Sequence, residues 1–67
     1  MTRENANKIT IEYTKPIYGF ALKRCSSVED AEDLTQEICL KLYRVMLARN
    51  DIKDVRKFVW TIAHNAC

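Results

Sequence analysis

The chain has 67 residues, a length that allows one small domain with a thin hydrophobic core and leaves no room for a second. Hydrophobic residues make up 48% and charged residues 30%, which is typical of a globular protein and excludes a disordered chain. The formal net charge of +2 is too small to indicate a nucleic-acid partner by itself, and the single glycine and single proline favour long helices with few turns.

The first predicted element is a helix over about residues 8–24, preceded by a polar, aperiodic stretch at residues 1–7 that predicts a flexible tail. Its apolar stripe follows spacings of four, four and three and consists of Ile9, Tyr13, Ile17 and Phe20. Pro16 lies inside this pattern. Because proline removes a backbone donor, we expect a kink there, or a fresh helix start with Thr14 as the cap.

The second predicted helix covers residues 26–47. Ser26 precedes Glu29 by three residues and Ser27 precedes Asp30 by the same distance, so either serine fits the N-cap. A stripe at spacings of three and four predicts the core face and consists of Ala31, Leu34, Ile38, Leu42 and Val45. The break before this helix is short, which predicts that the first two helices pack antiparallel.

Acidic residues crowd the start of the second helix. Nine residues without lysine or arginine contain five acids, Glu29, Asp30, Glu32, Asp33 and Glu37, a local charge of −5. Two or three acids there complement the helix dipole at roughly 0.3–1 kcal/mol each, so five exceed what capping needs. The run is therefore either a solvated face or an acidic surface for a basic partner.

A second flank of the same helix carries Gln36, Leu40, Tyr43 and Leu47 at spacings of four, three and four. In one interpretation a neighbouring helix buries this flank. In the other, Leu40 and Tyr43 form the apolar centre of a partner-binding surface whose rim is polar.

Residues 48–54 lose the periodicity and predict a loop, with Asp51 or Asp54 capping a third helix from about Val55. The predicted core stripe of that helix is Val55, Phe58, Val59, Ile62 and Ala66. Together the three segments predict an all-α fold, a small three-helix bundle over residues 8–67.

Residues 41–57 hold six bases and two acids, a local charge of +4, and the opposite half of the third helix presents Trp60. This combination suits single-stranded nucleic acid, since lysine and arginine side chains neutralise phosphates and an aromatic ring stacks on an unpaired nucleobase. The alternative is that Trp60 closes the edge of the core and the bases form a solubilising face.

The remaining chemistry is sparse. The chain has three cysteines, an odd number, and no C-x-x-C pair. This pattern predicts reduced, partly buried thiols at Cys25, Cys39 and Cys67. His64 and Cys67 have a ligand-compatible spacing but no second pair, so no metal and no cofactor is predicted. The absence of a phosphate loop or a paired nucleophile and base argues against an enzyme. No apolar run reaches the roughly 20 residues of a membrane span, so we expect a cytoplasmic protein.

Three segments resemble a known family. Residues 30–37, DAEDLTQE, are similar to the DAED-x-x-QE motif of bacterial sigma factors of the extracytoplasmic-function group. Residues 18–24 resemble that family's L-Y-x-x-A-x-R-x helix, which precedes the acidic motif. Residues 58–65 resemble its W-L-(Y/F)-x-I-A-R-N helix, with Phe58 in place of the usual Trp and His64 in place of the usual Arg. The likeness extends over about residues 13–67.

The resemblance implies the second conserved region of a sigma factor, a helical bundle that docks on the clamp helices of the largest subunit of core RNA polymerase. It also implies recognition and melting of the minus-ten promoter element, with extruded non-template bases held as a single strand. The implied polymerase-binding residues are Asp30, Asp33, Leu34, Gln36, Glu37 and Leu40. The implied DNA-binding residues are Arg49, Asn50, Lys53, Arg56, Lys57, Trp60, His64 and Asn65. An anti-sigma factor is a further partner that the family implies.

Two departures bear on this expectation. Full-length members continue into a linker and a helix-turn-helix domain that reads the minus-thirty-five element, and this sequence has neither, so we expect an isolated or truncated domain. Neutral His64 is also a poorer phosphate ligand than arginine. The rival interpretation is a helical protein-interaction or dimerisation domain that uses the flank of Leu40 and Tyr43 and binds no DNA.

Overall fold

The structure, a computed structural model, describes residues 1–49 and 51–66. Asn50, a predicted DNA-binding residue, and Cys67 lie outside the described residues. Three helices make up the fold: α1 (Arg3–Arg24), α2 (Val28–Ala48) and α3 (Val55–Ala66). The longest dimension is 36 Å, close to the length of about 33 Å expected for the 22 residues of α1. The prediction of an all-α, three-helix fold is confirmed.

The first helix begins at Arg3, earlier than the predicted boundary at Lys8, and residues 3–7 are helical rather than part of a tail. The physical reason is a cap: the Thr2 hydroxyl accepts from the Asn5 amide at 3.2 Å. Ala6, which is fully buried, lies two turns before Tyr13 on the same face, so burial supports the added turn. A single alanine among polar residues gave no visible periodicity.

The helix continues through Pro16 and does not begin afresh there. Thr14 is not a cap, because its hydroxyl donates to the Thr10 carbonyl at 2.7 Å inside the helix. Pro16 and Glu12, whose carbonyl loses the proline donor, are both exposed, so water is available to that carbonyl.

The caps of the other two helices agree with the predicted options. Ser27, rather than Ser26, caps α2 and accepts from the Asp30 amide at 3.1 Å. Asp54 caps α3 through a bond from the Lys57 amide to its carboxylate, also at 3.1 Å. Both caps satisfy amides that the first turn of a helix would otherwise leave unpaired.

The core lies where α2 packs against both α1 and α3. The N-terminal amine of Met1 donates to the carbonyl of Arg49 at 2.8 Å, which joins the start of α1 to the end of α2 and confirms their antiparallel packing. The buried apolar residues are Ala6, Ile17, Ala21, Ala31, Ile38, Leu42, Met46, Val59, Ile62 and Ala63.

The predicted stripe of α2 is buried at three positions and half-buried at two, Leu34 and Val45. Thr35 and Met46, one step around the helix, are buried although they were outside the predicted stripe. The Thr35 hydroxyl donates to the Ala31 carbonyl at 2.7 Å, which satisfies it within the core. The core stripe therefore sits slightly rotated from the prediction, toward Thr35 and Met46.

This burial pattern separates two leucines of α2. Replacing fully buried Leu42 with alanine is expected to lower the free energy of unfolding by about 2–5 kcal/mol, since it leaves a cavity. Replacing Leu40, which is 52% exposed, should change it by only about 0.5 kcal/mol. Urea denaturation followed by circular dichroism checks both values, and equal losses for the two variants would contradict this orientation of α2.

Candidate functional site

The acidic surface consists of five carboxylates on the first turns of α2, all of them exposed: Glu29, Asp30, Glu32, Asp33 and Glu37. None forms a salt bridge with another described residue. Their charge is therefore not neutralised within the described part of the fold, and the surface presents a negative field to solvent.

The flank beside the acidic surface is partly buried and partly exposed. It therefore agrees in part with burial by a neighbouring helix and in part with a partner-binding surface. Gln36 and Leu40 are exposed, whereas Tyr43 and Leu47 are half-buried and pack against the core. Leu34, predicted to bind a partner, is also half-buried and packs against the core. The outward part of the flank is thus an apolar side chain next to an amide and carboxylates.

Gln36 also borders a groove between α1 and α2 with a volume of about 250 Å³. The groove is lined by Thr14, Lys15, Tyr18, Glu32, Thr35 and Gln36. Sequence reasoning missed it because its two walls come from different helices, and no single-helix periodicity marks such a site.

The basic surface, formed by Arg49, Lys53, Arg56 and Lys57, is exposed at all four positions. An open pocket of about 270 Å³ lies at the loop before α3 and is lined by Arg49, Asp51, Ile52, Lys53, Asp54, Lys57, Phe58 and Thr61. Asp54 uses one carboxylate oxygen to cap α3, and Asp51 is the second acid at the rim. Cations outnumber anions around this pocket.

Trp60 is half-buried. Its position is therefore intermediate between an outward ring available for stacking and a ring that closes the edge of the core. Its ring centroid is 5.7 Å from that of Phe20 on α1, with the planes tilted by 58°. His64 is exposed and meets the same Phe20 ring edge-on, with centroids 5.0 Å apart. Asn65 is exposed beside it. Two of the predicted DNA-binding residues of α3, Trp60 and His64, therefore belong to an aromatic cluster shared with α1.

The described cysteines, Cys25 and Cys39, are free and half-buried. Burial raises the pKa of the Cys39 thiol, and a contact with the Thr14 hydroxyl at 4.0 Å lowers it in part. Within residues 1–49 and 51–66, no group of histidine, cysteine and carboxylate side chains is suited to hold a metal ion. No helix in the same part of the chain is long and apolar enough to cross a membrane.

The helical fold thus carries an acidic surface at the start of α2, and a basic surface with an adjoining aromatic residue on the following loop and α3. The family model for Sigma-70 region 2 matches residues 11–67, and the chain belongs to this family. Region 2 is a non-enzymatic domain of transcription initiation factors that binds RNA polymerase and acts in promoter melting. Searches of the curated proteins and of the solved structures found no match.

The raised pKa of Cys39 gives a measurable consequence. Because the thiolate is the reactive form, iodoacetamide should modify Cys39 more slowly in the folded chain than in the urea-unfolded chain at the same mildly alkaline pH. Thr14→Val, which removes the hydroxyl that lowers the pKa, should slow the reaction further. Peptide mass spectrometry separates this cysteine from the others.

The raised pKa of Cys39 also determines how the stability of the fold changes with pH. Folding favours the protonated thiol, so its contribution is complete below the unfolded pKa and is lost as pH rises through the higher folded pKa. Equal modification rates in the folded and unfolded chains would contradict this environment for Cys39.

Proposed function

We propose that this domain is region 2 of a sigma factor of the extracytoplasmic-function group, working in the cytoplasm on core RNA polymerase and the minus-ten promoter element. The observation that carries the proposal is the DAEDLTQE segment, which lies on α2 with its carboxylates exposed beside exposed Leu40. Family membership supports a general role in RNA polymerase binding and promoter melting. The exposure of this segment supports its proposed role as the docking surface.

The polymerase-binding part of the proposal rests on one strip of α2. Asp30, Asp33, Glu37 and Leu40 follow spacings of three, four and three, which places them on one face, with Gln36 at its edge. Leu34 borders this strip from the core side. A basic helical partner such as the clamp helices of the largest polymerase subunit complements the charges, and Leu40 supplies the apolar contact. Unpaired carboxylates also speed the encounter with such a partner.

Reversing one charge of this strip tests the docking surface. Asp33→Lys is expected to weaken binding to core RNA polymerase by about tenfold or more, roughly 1.4 kcal/mol, because it places a cation opposite a basic partner. Gln36→Ala should also weaken co-purification. Pull-down with core polymerase measures the binding, and circular dichroism checks that helicity is kept.

Glu12→Lys is the matched control, since it makes the same charge change at an exposed position of α1 outside the strip. We expect it to bind like the unaltered chain. If Asp33→Lys and Glu12→Lys bind equally well, the acidic strip is not the docking surface.

The DNA-binding part of the proposal rests on the basic surface and its neighbours on α3. Arg49, Lys53, Arg56 and Lys57 have no carboxylate partner among the described residues and are placed to neutralise phosphates. Trp60 borders this surface, and His64 and Asn65 add polar groups at its far end. Asn50 belongs to the same proposed set by its place in the sequence, next to Arg49. A single strand fits better than a duplex, since only unpaired bases can stack on an aromatic ring.

Trp60 is the only tryptophan in the chain, so intrinsic fluorescence reports on this residue alone. A single-stranded oligonucleotide carrying a minus-ten-like sequence is expected to quench the emission on binding. Truncation of Trp60 to alanine should weaken binding by about 1–3 kcal/mol. Binding detected by anisotropy with no change in Trp60 emission would remove this residue from the proposed site.

A second candidate function is a protein-interaction domain that binds no DNA. We include an anti-sigma factor as a proposed partner under both candidate functions. The exposed apolar residues favour its consideration: Ile11, Leu22, Val28 and Leu40 are 41–66% exposed. Analytical ultracentrifugation separates the candidates, because a tight dimer that buries Leu40 could not use the same strip to dock on polymerase.

A further inference from the structure

Near the end of α1, the Phe20 ring contacts two residues of α3 and one residue of its own helix. Trp60 and His64 approach it from α3 at centroid distances of 5.7 and 5.0 Å. The guanidinium carbon of Arg24, one turn further along α1, lies 4.4 Å from the centre of the same ring. The cluster therefore brings a cation of α1 next to two residues of the proposed DNA-binding face.

Arg24 is suited to contact a ligand rather than to hold the fold together. Its side chain is exposed, and among the described residues its guanidinium has the Phe20 ring and no carboxylate as a partner. A cation held over a ring keeps its planar N–H groups available at its edges, and those groups match the oxygens of a phosphate. Because the ring already orients the side chain, less rotamer entropy is lost when a ligand binds.

The identity of the neighbouring residue, His64, gives a reason for a phosphate-binding cation at this place. A histidine is largely uncharged at neutral pH unless its surroundings favour protonation, whereas arginine always carries its charge. His64 and Arg24 contact the same Phe20 ring from different helices. Arg24 can therefore supply a permanent positive charge beside the end of α3.

We propose that the nucleic-acid-binding face extends from α3 onto the end of α1, with Arg24 as a phosphate contact and Phe20 as the positioning residue for Arg24, Trp60 and His64. This inference rests on the proposed function, in which α3 binds single-stranded DNA. It adds to that function a contact from a helix whose sequence pattern indicates only packing.

Lys23 gives a matched control for Arg24. Both residues are exposed and adjacent, and alanine at either position removes one positive charge. Successive helical residues differ in direction by about 100°, so the two side chains lie on different sides of α1. A loss of binding caused only by net charge would be the same in both variants, whereas a loss from the Phe20 cluster would follow Arg24 alone.

The experiment measures binding of the 67-residue chain to a fluorescein-labelled single-stranded oligonucleotide over a series of salt concentrations. Arg24→Ala is expected to weaken binding about tenfold at low salt. It should also reduce the steepness of log K against log salt by about 0.7, the value for one phosphate contact on a single strand. Lys23→Ala should weaken binding less than threefold and leave the slope nearly unchanged.

Phe20→Leu tests the positioning role, with thermal melting to establish that the variant is folded. In this background the further change Arg24→Ala should cost much less than tenfold, because the ring that orients the guanidinium is gone. Full additivity of the two changes would overturn the role of Phe20.

The failure of this inference is distinguishable from the failure of the proposed function. If the unaltered chain binds the oligonucleotide and Arg24→Ala matches Lys23→Ala in affinity and slope, the contact from α1 is overturned while DNA binding stands. If the unaltered chain does not bind at all, the DNA-binding part of the proposed function is contradicted, and this inference with it.

Discussion

The burial of one stripe of α2 determines the direction of every other side chain on that helix. Ile38 and Leu42 are fully buried between α1 and α3, so the helix cannot rotate without exposing them to water, at roughly 1.5–3 kcal/mol for each side chain. With this rotation fixed, Asp33 and Leu40 must face solvent. The same packing that gives a thin core its stability thus holds the acidic strip of α2 in one orientation.

The five acids of α2 serve the helix and the surface at the same time. Near the helix N-terminus each one gains roughly 0.3–1 kcal/mol from the dipole, while like-charge neighbours three or four residues apart cost a few tenths of a kcal/mol per pair. These effects are similar in size, so the local stability of α2 neither demands nor forbids the run. The fold therefore tolerates a dense acidic surface at little net cost, which is compatible with the proposed role of this surface in binding a basic partner.

Single-helix patterns predicted the parts of the structure that depend on a single helix. The buried centres of the predicted stripes, Ile38 and Leu42 on α2 and Val59 and Ile62 on α3, follow from spacing. Ser27 and Asp54 are each one of the two caps that the sequence left open. The family resemblance through the DAEDLTQE segment was confirmed at the level of the sigma-70 family. The early start of α1 escaped prediction because its support is tertiary: Ala6 is buried in the core cluster that contains residues of all three helices. The groove beside Gln36 and the Phe20 cluster join residues from two helices, and spacing within one helix contains no information about such contacts.

Trp60 illustrates why packing and binding need not exclude each other. A tryptophan that projects freely into water would gain less from stacking on a base, since the base would have to immobilise the ring and both faces would compete for water. Phe20 restrains the ring through an aromatic contact of roughly 0.5–1.5 kcal/mol and leaves the side chain half-buried. The side-chain entropy of Trp60 is then already reduced in the folded domain, before any ligand binds. A partly buried aromatic at the junction of α1 and α3 is consequently better prepared for an unpaired base than a fully exposed one, and the contact that closes the edge of the core is also what prepares it.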